Sequence, residues 1–512
     1  MNPTTATVSQ KKIIAKKFFL LPVLPIIFFF LHNANQYMEL VFTWDVLFLL
    51  FLYLLLSYFI FASGKILLKL TVLQSLFIST LAIIFFLFFG ALQDYLFQFK
   101  RFSFFSNSFF LFAIVVAILL FISLFLKKKK ARPVAANSYF IVLFIVLIFL
   151  EIILLSAKFF SGKSLKAITS RMATPVLNNE KIISSENPDI YHIIFDEYTN
   201  LPALKKYWGY DDEIYLFLTS KGFFTLDSAI SNYTSSPFSI ASIFCLQYLK
   251  GAEPYLERNT ANFLVGHMVY SNNDLFQFLK QLHYHFSIFS LVDNKDLSTG
   301  LGFLGLEKSN NILRQQTIER IFLNPWVRNK LNRFFGAKDE EPALITKSKQ
   351  KFADYNKKAL EHIFFDCRNS SKQHLTSPVF SYTHILLPHE PYMFDENGKL
   401  LPLAQQDEGV KGYLRQVQYS NKLIQQITDC LLSDTTRKKI IIFQGDHGYR
   451  DYPDAPVTTS YEALSAIYFY NKNYIGLKKN FSHVNTYRVI INNFFGGKLP
   501  LLQDSIVLMK KK

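Results

Sequence analysis

Five long apolar stretches, separated by short polar segments, occupy the first 160 residues. They cover residues 18–38, 46–64, 70–93, 102–126 and 138–157. A bilayer span needs about 20 mostly apolar residues, which each stretch provides. The first four contain no Asp, Glu, Lys or Arg, and the fifth contains only Glu151. The pattern predicts a membrane domain of five spans at residues 1–157, because so many buried helices in succession would otherwise need a very large soluble core.

Two of these stretches carry further signals. No small-residue cleavage signal follows the first stretch before Val46, which favours a retained span over a cleaved signal peptide. Pro22 and Pro25 predict a kink within it. Glu151 lies near the outer end of the fifth stretch, where we expect a solvated carboxylate rather than a functional group.

Lys and Arg are distributed unequally between the two sides of the predicted spans. One side carries Lys11, Lys12, Lys16, Lys17, Lys65, Lys69, Lys127 to Lys130 and Arg132. The loops of the other side contain Glu39, Asp45, Lys100 and Arg101. Because basic loops stay in the cytoplasm, we expect a multi-pass protein of the cell (inner) membrane with residues 160–512 on the extracytoplasmic side.

The texture of the sequence changes after the fifth stretch. Residues 158–188 mix Lys, Ser, Asn and apolar residues, as expected for a juxtamembrane linker. From residue 189, short β-branched and aromatic runs predict strands at 190–195, 286–291, 379–387, 440–443 and 466–470. Stretches of helical period lie between them at 273–282, 349–365, 413–432 and 486–495. This alternation predicts an α/β domain with a largely parallel central sheet at residues 189–512.

Charge and cysteine content narrow the class of protein. The formal net charge is +17, but much of it flanks the apolar stretches, and no nucleic-acid-binding motif accompanies it. A nucleic-acid partner is therefore not expected. The cysteines are Cys245, Cys367 and Cys430, which lack the paired spacing of a zinc site and allow at most one bridge. We expect them to be free and mostly buried thiols.

Acidic and imidazole groups follow the predicted strands. Asp196 follows 190–195, and the 379–387 run contains His384 and is followed by His389. Asp446 and His447 follow 440–443. The carboxyl ends of parallel strands meet at one edge of a sheet, and carboxylates with neutral imidazoles are ligands of Zn²⁺ or Mn²⁺.

Each of these elements also has an ordinary structural interpretation. Asp196 alone could be a helix N-cap. The Asp446–Gly448 segment alone could be a turn that ends in a capping glycine, and His384 and His389 could be surface residues of a proline-containing loop. The joint pattern favours a metal site.

A hydroxyl-rich segment at residues 232–242 precedes an apolar stretch at 240–249 that we expect to be helical. A hydroxyl near a helix N-terminus meets the positive end of the helix dipole, and the free N–H groups there can bind phosphate or sulfate. A coordinated metal ion could turn such a hydroxyl into a nucleophile. Taken alone, the segment is equally suited to be a plain N-cap.

Together these motifs resemble the sulfatase-like branch of the alkaline phosphatase superfamily. The order is an acidic strand end at Asp196, a hydroxyl three residues before Ser239, a His-x4-His-x-Pro segment at His384 and His389, and Asp-His-Gly from Asp446. The chain is most similar to membrane-bound lipoteichoic-acid synthases and lipid A phosphoethanolamine transferases, which join five spans to an extracytoplasmic catalytic domain. The stretch from His483 to Val489 also resembles uncharacterised sulfatase-like membrane proteins, without an assigned role.

The resemblance implies roles for individual residues. One Zn²⁺ or Mn²⁺ ion would be held by Asp196, Ser236, Asp446 and His447. Ser236 would be the nucleophile, with Ser235 as second choice, and His384 and His389 would bind phosphoryl oxygens or protonate the leaving group. The close relatives usually carry Thr as nucleophile and Glu as first ligand, so the chain departs from them at two positions. Ser239 stands where a formylglycine sulfatase has arginine, which argues against that class.

These roles lead to three functional hypotheses. The first is a transferase of a phosphate-linked head group, such as phosphoethanolamine or phosphoglycerol, that acts on a lipid or glycan phosphoester through a covalent serine. The second is a hydrolase of phosphate or sulfate esters in the cell envelope, and the third is a non-catalytic membrane scaffold.

Overall fold

The structure is a computed structural model of the chain. It describes residues 18–36, 44–97, 107–160, 171–177, 187–211, 213–253, 260–271, 273–290, 313–314, 316–323, 340–369, 377–402, 405–406, 409–450 and 456–508. The contacts divide the chain into two units. Unit 1 consists of Met1–Leu165 and Glu307–Leu344, and unit 2 consists of Lys166–Leu306 and Ile345–Lys512.

The N-terminal part of unit 1 is built from apolar helices. They are α1 (Leu24–Gln36), α2 (Trp44–Ile66), α3 (Val72–Phe97), α4 (Ser108–Lys128) and α5 (Val134–Phe160). Four helical segments in the described part of the chain are long and apolar enough to cross a membrane, namely Val46–Ile66, Val72–Leu96, Ser108–Lys128 and Val134–Ala157. A fifth apolar helix, Leu21–Asn35, is shorter.

The first predicted span is therefore confirmed as an apolar helix but not as a full-length one. Pro22 lies in a 3₁₀ turn, Leu21–Val23, and Pro25 lies in the first turn of α1, so both prolines occupy positions where a missing N–H costs little. Residues 1–17 and 37–43 lie outside the described residues. The five-span topology and the boundaries at 157 and 188 stay predictions.

The helices differ in how much of their surface is buried in the protein. In the most apolar part of α3, half of the residues are buried inside the protein. In the corresponding part of α5, only about a tenth are buried. Large apolar side chains point outward, among them Phe51, Phe121 and Phe149. Such surfaces are expected where the solvent is lipid.

Glu151 is buried and paired, so the expectation of a solvated carboxylate is wrong. Its Oε1 lies 2.7 Å from His32 Nδ1, and the Asn35 side chain donates to its backbone carbonyl at 2.8 Å. Helix α1 supplies both partners, and no local pattern of residues shows that α1 and α5 are neighbours.

Unit 1 also includes a segment from the later part of the chain. In this segment, the Ile318 N–H donates to Phe86 O at 2.9 Å, close to Phe88, where α3 departs from helical geometry. Arg320 is the first residue of the short helix α6 (Arg320–Leu323). Its Nη1 lies 2.7 Å from Asp94 Oδ1. The segment thus supplies hydrogen-bond donors where α3 is irregular.

A six-stranded sheet forms the centre of unit 2. Its strands are β1 (Asp189–Phe195), β2 (Phe224–Thr225), β3 (His285–Phe289), β4 (Val379–Ile385), β5 (Lys439–Gly445) and β6 (Ser465–Phe469). The order is β2-β6-β5-β1-β4-β3. β1 pairs in parallel with β4 and β5, β3 pairs in parallel with β4, and β6 runs antiparallel to its neighbours. The predicted α/β class with a mostly parallel sheet is confirmed.

The sequence explains why β1, β4 and β5 are central. All seven residues of each strand are buried, and β1 and β5 contain runs of Ile that end in Phe or are followed by it, as expected for strands covered on both faces. The helices of this part of the chain are α7 (Leu201–Trp208), α8 (Ile214–Ser220), α9 (Ser236–Phe244), α10 (Thr260–Ser271), α11 (Asp274–Gln281), α12 (Glu340–Asn369), α13 (Val410–Ser433) and α14 (Thr486–Phe494).

A disulfide joins Cys367 of α12 to Cys430 of α13. The expectation of three free thiols is therefore wrong for these two, and it holds for Cys245, which is free and buried. The two cysteines are 63 residues apart in the sequence, so no local pattern shows that their helices are neighbours.

Candidate active site

The carboxyl ends of the three central strands bring three predicted site residues together. The register aligns Phe195 of β1 with Ile385 of β4 and Gly445 of β5. Asp196, His384 and Asp446 therefore meet at one edge of the sheet. Their ligand atoms all lie within 4.8 Å of one another, and all three residues are buried. His384 Nε2 is 3.2 Å from Asp196 Oδ2, which places His384 in this group as a further candidate ligand.

His447 completes the group through a fixed ring orientation. Its Nδ1 lies 3.0 Å from Gly448 O, so Nδ1–H donates to that carbonyl and Nε2 carries the lone pair. Nε2 lies 3.4 Å from Asp446 Oδ2 and 3.7 Å from Asp196 Oδ1. Among the described residues, neither of these buried oxygens has a hydrogen-bond partner. Two unpartnered carboxylate oxygens and an imidazole lone pair that converge in a buried space fit a divalent cation.

The ionisation of the group agrees with this donor set. Burial opposes ionisation of Asp196, but His389, His384 and His447 together hold the pKa of this carboxyl below its usual range. Burial and the charge of Asp196 raise the pKa of Asp446 to about 6. Burial, reinforced by the charge of Arg450, holds the pKa of His447 well below its ordinary value. The two carboxylates repel each other, and a cation between them would remove that repulsion.

The other Asp446 oxygen is held by the backbone. Asp446 Oδ1 accepts the N–H groups of Glu197 at 3.0 Å and of His447 at 2.9 Å. Position 448 requires glycine because another backbone segment passes close to it. A Cβ at this position would lie 2.4 Å from Thr459 O and 2.6 Å from Glu462 O. The glycine of the Asp-His-Gly motif thus has a packing role.

Ser236 is the first residue of helix α9, and Ser235 is its N-cap. The helix begins four residues earlier than the stretch predicted from the sequence, with Pro237 in its first turn as expected. Ser236 Oγ lies 3.5 Å from His447 Nε2. Ser239 ties the helix to the end of β5, because its hydroxyl donates to Asp446 O at 2.5 Å. The structure therefore brings Ser236 to the carboxylate and imidazole group.

His389 lies in a neighbouring cluster that includes two residues the sequence analysis missed. Its Nδ1 is 2.6 Å from Glu390 O, and its Nε2 is 2.9 Å from Arg450 Nη2 and 3.9 Å from Glu197 Oε2. Burial opposes protonation of His389, but the carboxylates of Glu197 and Asp196 raise its pKa overall.

Arg450 links this cluster to the segment that carries Ser236. Its backbone N–H and Nε donate to Glu197 Oε1 at 3.1 and 3.2 Å, and its Nη1 donates to Thr234 O at 3.0 Å. The only sequence signal for Glu197 and Arg450 was position, since one follows Asp196 and the other lies two residues after Gly448.

The sequence matches no protein family model. No curated protein is significantly similar to it. Structural similarity is found to the C-terminal periplasmic domain of a phosphoethanolamine transferase from Campylobacter jejuni, with 12% identity, 63% of this chain and 93% of that chain covered, and a TM-score of 0.34.

Two further solved structures are similar at the same level. One is the soluble domain of lipooligosaccharide phosphoethanolamine transferase A from Neisseria meningitidis, with 11% identity and a TM-score of 0.33. The match covers 61% of this chain and 90% of that domain. The other is a protein from Bacteroides fragilis that is named as a sulfatase, with 13% identity and a TM-score of 0.35. The match covers 62% of this chain and 76% of that protein. The resemblance to the phosphoethanolamine transferase and sulfatase group is confirmed as structural similarity. At these identities and TM-scores, it does not indicate the activity of the chain.

Proposed function

We propose that the chain is a membrane-anchored, metal-dependent transferase of a phosphate-linked head group, of the phosphoethanolamine or phosphoglycerol type. The observation that carries this proposal is the position of the Ser236 hydroxyl. It lies at the N-terminus of a helix, 3.5 Å from an imidazole nitrogen whose lone pair faces two unpartnered, buried carboxylate oxygens. Helix α9 thus presents a hydroxyl at its positive end to a cation-binding group, which is the arrangement that phosphoryl transfer through a serine requires.

The metal would be held by Asp196, Asp446 and His447 together with Ser236, and His384 lies within reach of the same position. Oxygen and imidazole donors suit Zn²⁺ or Mn²⁺. A bound divalent ion supplies Lewis-acid chemistry, because it lowers the pKa of a coordinated hydroxyl and neutralises charge on phosphoryl oxygens.

The residues of the chain carry the remaining steps. The Ser236 hydroxyl loses its proton to solvent, and its oxygen attacks phosphorus and forms a new O–P bond, while the bond from phosphorus to the diacylglycerol oxygen of a lipid donor breaks. The positive end of the α9 dipole stabilises the negative charge of the phosphoryl oxygens. His389 accepts a hydrogen bond from Arg450 at Nε2. Once that nitrogen is protonated instead, which the carboxylates of Glu197 and Asp196 favour by raising the pKa of His389 despite burial, it gives the proton to the leaving oxygen. A hydroxyl of the acceptor then attacks phosphorus and gives its proton to the neutral His389, while the O–P bond to Ser236 breaks and the serine oxygen regains a proton from solvent.

The membrane helices and the disulfide support an extracytoplasmic site. Four helical segments among the described residues are long and apolar enough to span a bilayer, and a lipid donor would explain why a catalytic domain is joined to them. The Cys367–Cys430 bridge suits an oxidising compartment rather than the cytoplasm. With the basic flanks of the spans, these features favour residues 160–512 outside the cell membrane.

Purified full-length protein in vesicles that contain a head-group-labelled phosphatidylethanolamine or phosphatidylglycerol tests the proposal. We expect metal-dependent release of diacylglycerol, with the label first on the protein and then on an added glycolipid acceptor. Ser236→Ala should abolish both steps, and Ser235→Ala is the matched control that should keep them. Label that goes to water even with acceptor present would favour the hydrolase, and turnover of a sulfate ester alone would contradict phosphoryl transfer.

A further inference from the structure

The segment of residues 232–246, hereafter the nucleophile segment, is anchored at its start by Asn232. This side chain is buried, its Oδ1 accepts the Val484 N–H at 3.1 Å, and its Nδ2 donates to Ser482 Oγ and to Ser505 O. The backbone of Asn232 is also held, because its carbonyl accepts the Val507 N–H at 2.9 Å. Asn232 therefore has defined partners for its side chain and its carbonyl, four residues before Ser236.

The other end of the nucleophile segment is anchored by Arg488 of α14. Its Nε donates to Leu246 O at 2.7 Å, and its Nη1 donates to Pro500 O at 2.7 Å. Leu246 has a φ of +56°, a left-handed conformation that leucine rarely adopts. Arg488 is only 5% exposed, so the guanidinium is committed to these carbonyls and not to solvent. It thus fixes the direction of the chain where α9 ends.

Val484 and Arg488 belong to the stretch from His483 to Val489, which resembles uncharacterised proteins and which the proposed mechanism leaves without a role, and Ser482 directly precedes it. Ser482 and Val484 bind the start of the nucleophile segment, and Arg488 binds its end. Between the anchors, every residue of α9 from Pro237 to Phe244 is buried. A helix packed on all sides transmits a shift at either end to its first residue, Ser236.

We propose that Asn232 and Arg488 are positioning residues that hold the hydroxyl of Ser236 in place for attack. The inference rests on the proposed function of Ser236. Neither residue touches the carboxylate and imidazole group through any contact found among the described residues, so both act through the backbone of the nucleophile segment.

The test compares Asn232→Ala, Arg488→Met and Arg488→Lys with the wild type, all as full chains in detergent with a chromogenic phosphate diester as probe. We expect the rate of covalent labelling of Ser236 per folded molecule to fall up to about 100-fold in Asn232→Ala and Arg488→Met, since a displacement of about 1 Å has that effect on oriented reactants. KM and bound metal should stay unchanged. Arg488→Lys, which can reach one of the two carbonyls, should restore part of the rate.

The control variant is Arg437→Met. Arg437 is a half-buried arginine that also holds the chain through hydrogen bonds, because it donates to both Asp189 oxygens and to Ser377 O, but at the amino end of β1. Its loss should lower thermal stability and leave the rate per folded molecule unchanged. Hydrogen exchange should increase at residues 232–246 in the Asn232 and Arg488 variants and not in the control.

Two outcomes separate the inference from the proposed function. If the wild type is labelled on Ser236 and the Asn232 and Arg488 variants are labelled equally fast, the positioning role is wrong and the proposed function stands. If the wild type is never labelled on Ser236, the proposed function is wrong, and the positioning role is wrong with it. Should Arg488→Met fail to fold, the labelling rates of Asn232→Ala and Arg488→Lys still show whether the two residues position Ser236.

Discussion

Replacement of His447 by alanine should remove most of the metal affinity of the site. A hydrogen bond from Nδ1–H to Gly448 O fixes the orientation of the imidazole ring. Its Nε2 therefore lies 3.4 Å from Asp446 Oδ2 and 3.7 Å from Asp196 Oδ1, so the ring need not rotate to bind an ion beside these oxygens. Loss of a hydrogen-bond partner behind a metal ligand typically costs 10–100-fold in affinity, so loss of the ligand itself should raise Kd by about 100-fold or more.

This change in affinity has a consequence for stability that can be worked out. At an ion concentration about 1,000 times the wild-type Kd, binding adds about 4.1 kcal/mol to the free energy of unfolding. In His447→Ala the same concentration is only about 10 times Kd, which leaves about 1.4 kcal/mol. The ion-dependent part of the stability should therefore fall by about 2.7 kcal/mol.

The matched control is His389→Ala. His389 Nε2 is 2.9 Å from Arg450 Nη2 and 3.9 Å from Glu197 Oε2, so its loss should leave metal bound and reduce turnover. The assay is a chelator competition titration with Zn²⁺ and with Mn²⁺ on the full chain, together with elemental analysis. Equal affinity in the wild type and His447→Ala, or a larger loss in His389→Ala, would refute the assignment of His447 as a ligand.

Three further predictions test other parts of the account. Replacement of Cys367 and Cys430 by serine should lower the free energy of unfolding by about 4 kcal/mol, given the 63-residue separation, as measured with denaturant. A periplasmic reporter enzyme fused after residue 160 should be active and one fused after residue 130 inactive; a cytoplasmic reporter that is active after residue 512 would overturn the topology. Ser236→Thr should keep part of the labelling rate in a phosphate-transfer assay, because it retains a hydroxyl at the same helix end.

Much of the fold of unit 2 could be predicted because its signals are local. The buried runs of β1, β4 and β5 are continuous in sequence, and their carboxyl ends must meet once the strands are parallel. The convergence of Asp196 and Asp446 followed from that rule alone. β2 was missed because a two-residue strand carries no periodicity.

Other features depend on contacts between distant segments and leave no local pattern. Arg450 and Glu197 are in contact although 253 residues separate them in the sequence, and 63 residues separate the bonded Cys367 and Cys430. The pairing of Glu151 with His32 depends on how α1 packs against α5, which an all-apolar pattern does not specify. The placement of Ile318 and Arg320 with the helices of unit 1 was hidden for the same reason.

The central claim is that Ser236 becomes covalently phosphorylated. The most direct measurement is to quench the metal-loaded full chain during turnover of a head-group-labelled lipid, digest it, and map the modification by peptide mass spectrometry. The account predicts a phosphate-linked head group on Ser236 that is absent from Ser236→Ala and disappears when acceptor is added. A modification on Ser235 or Thr234, or turnover without any covalent intermediate, would contradict it.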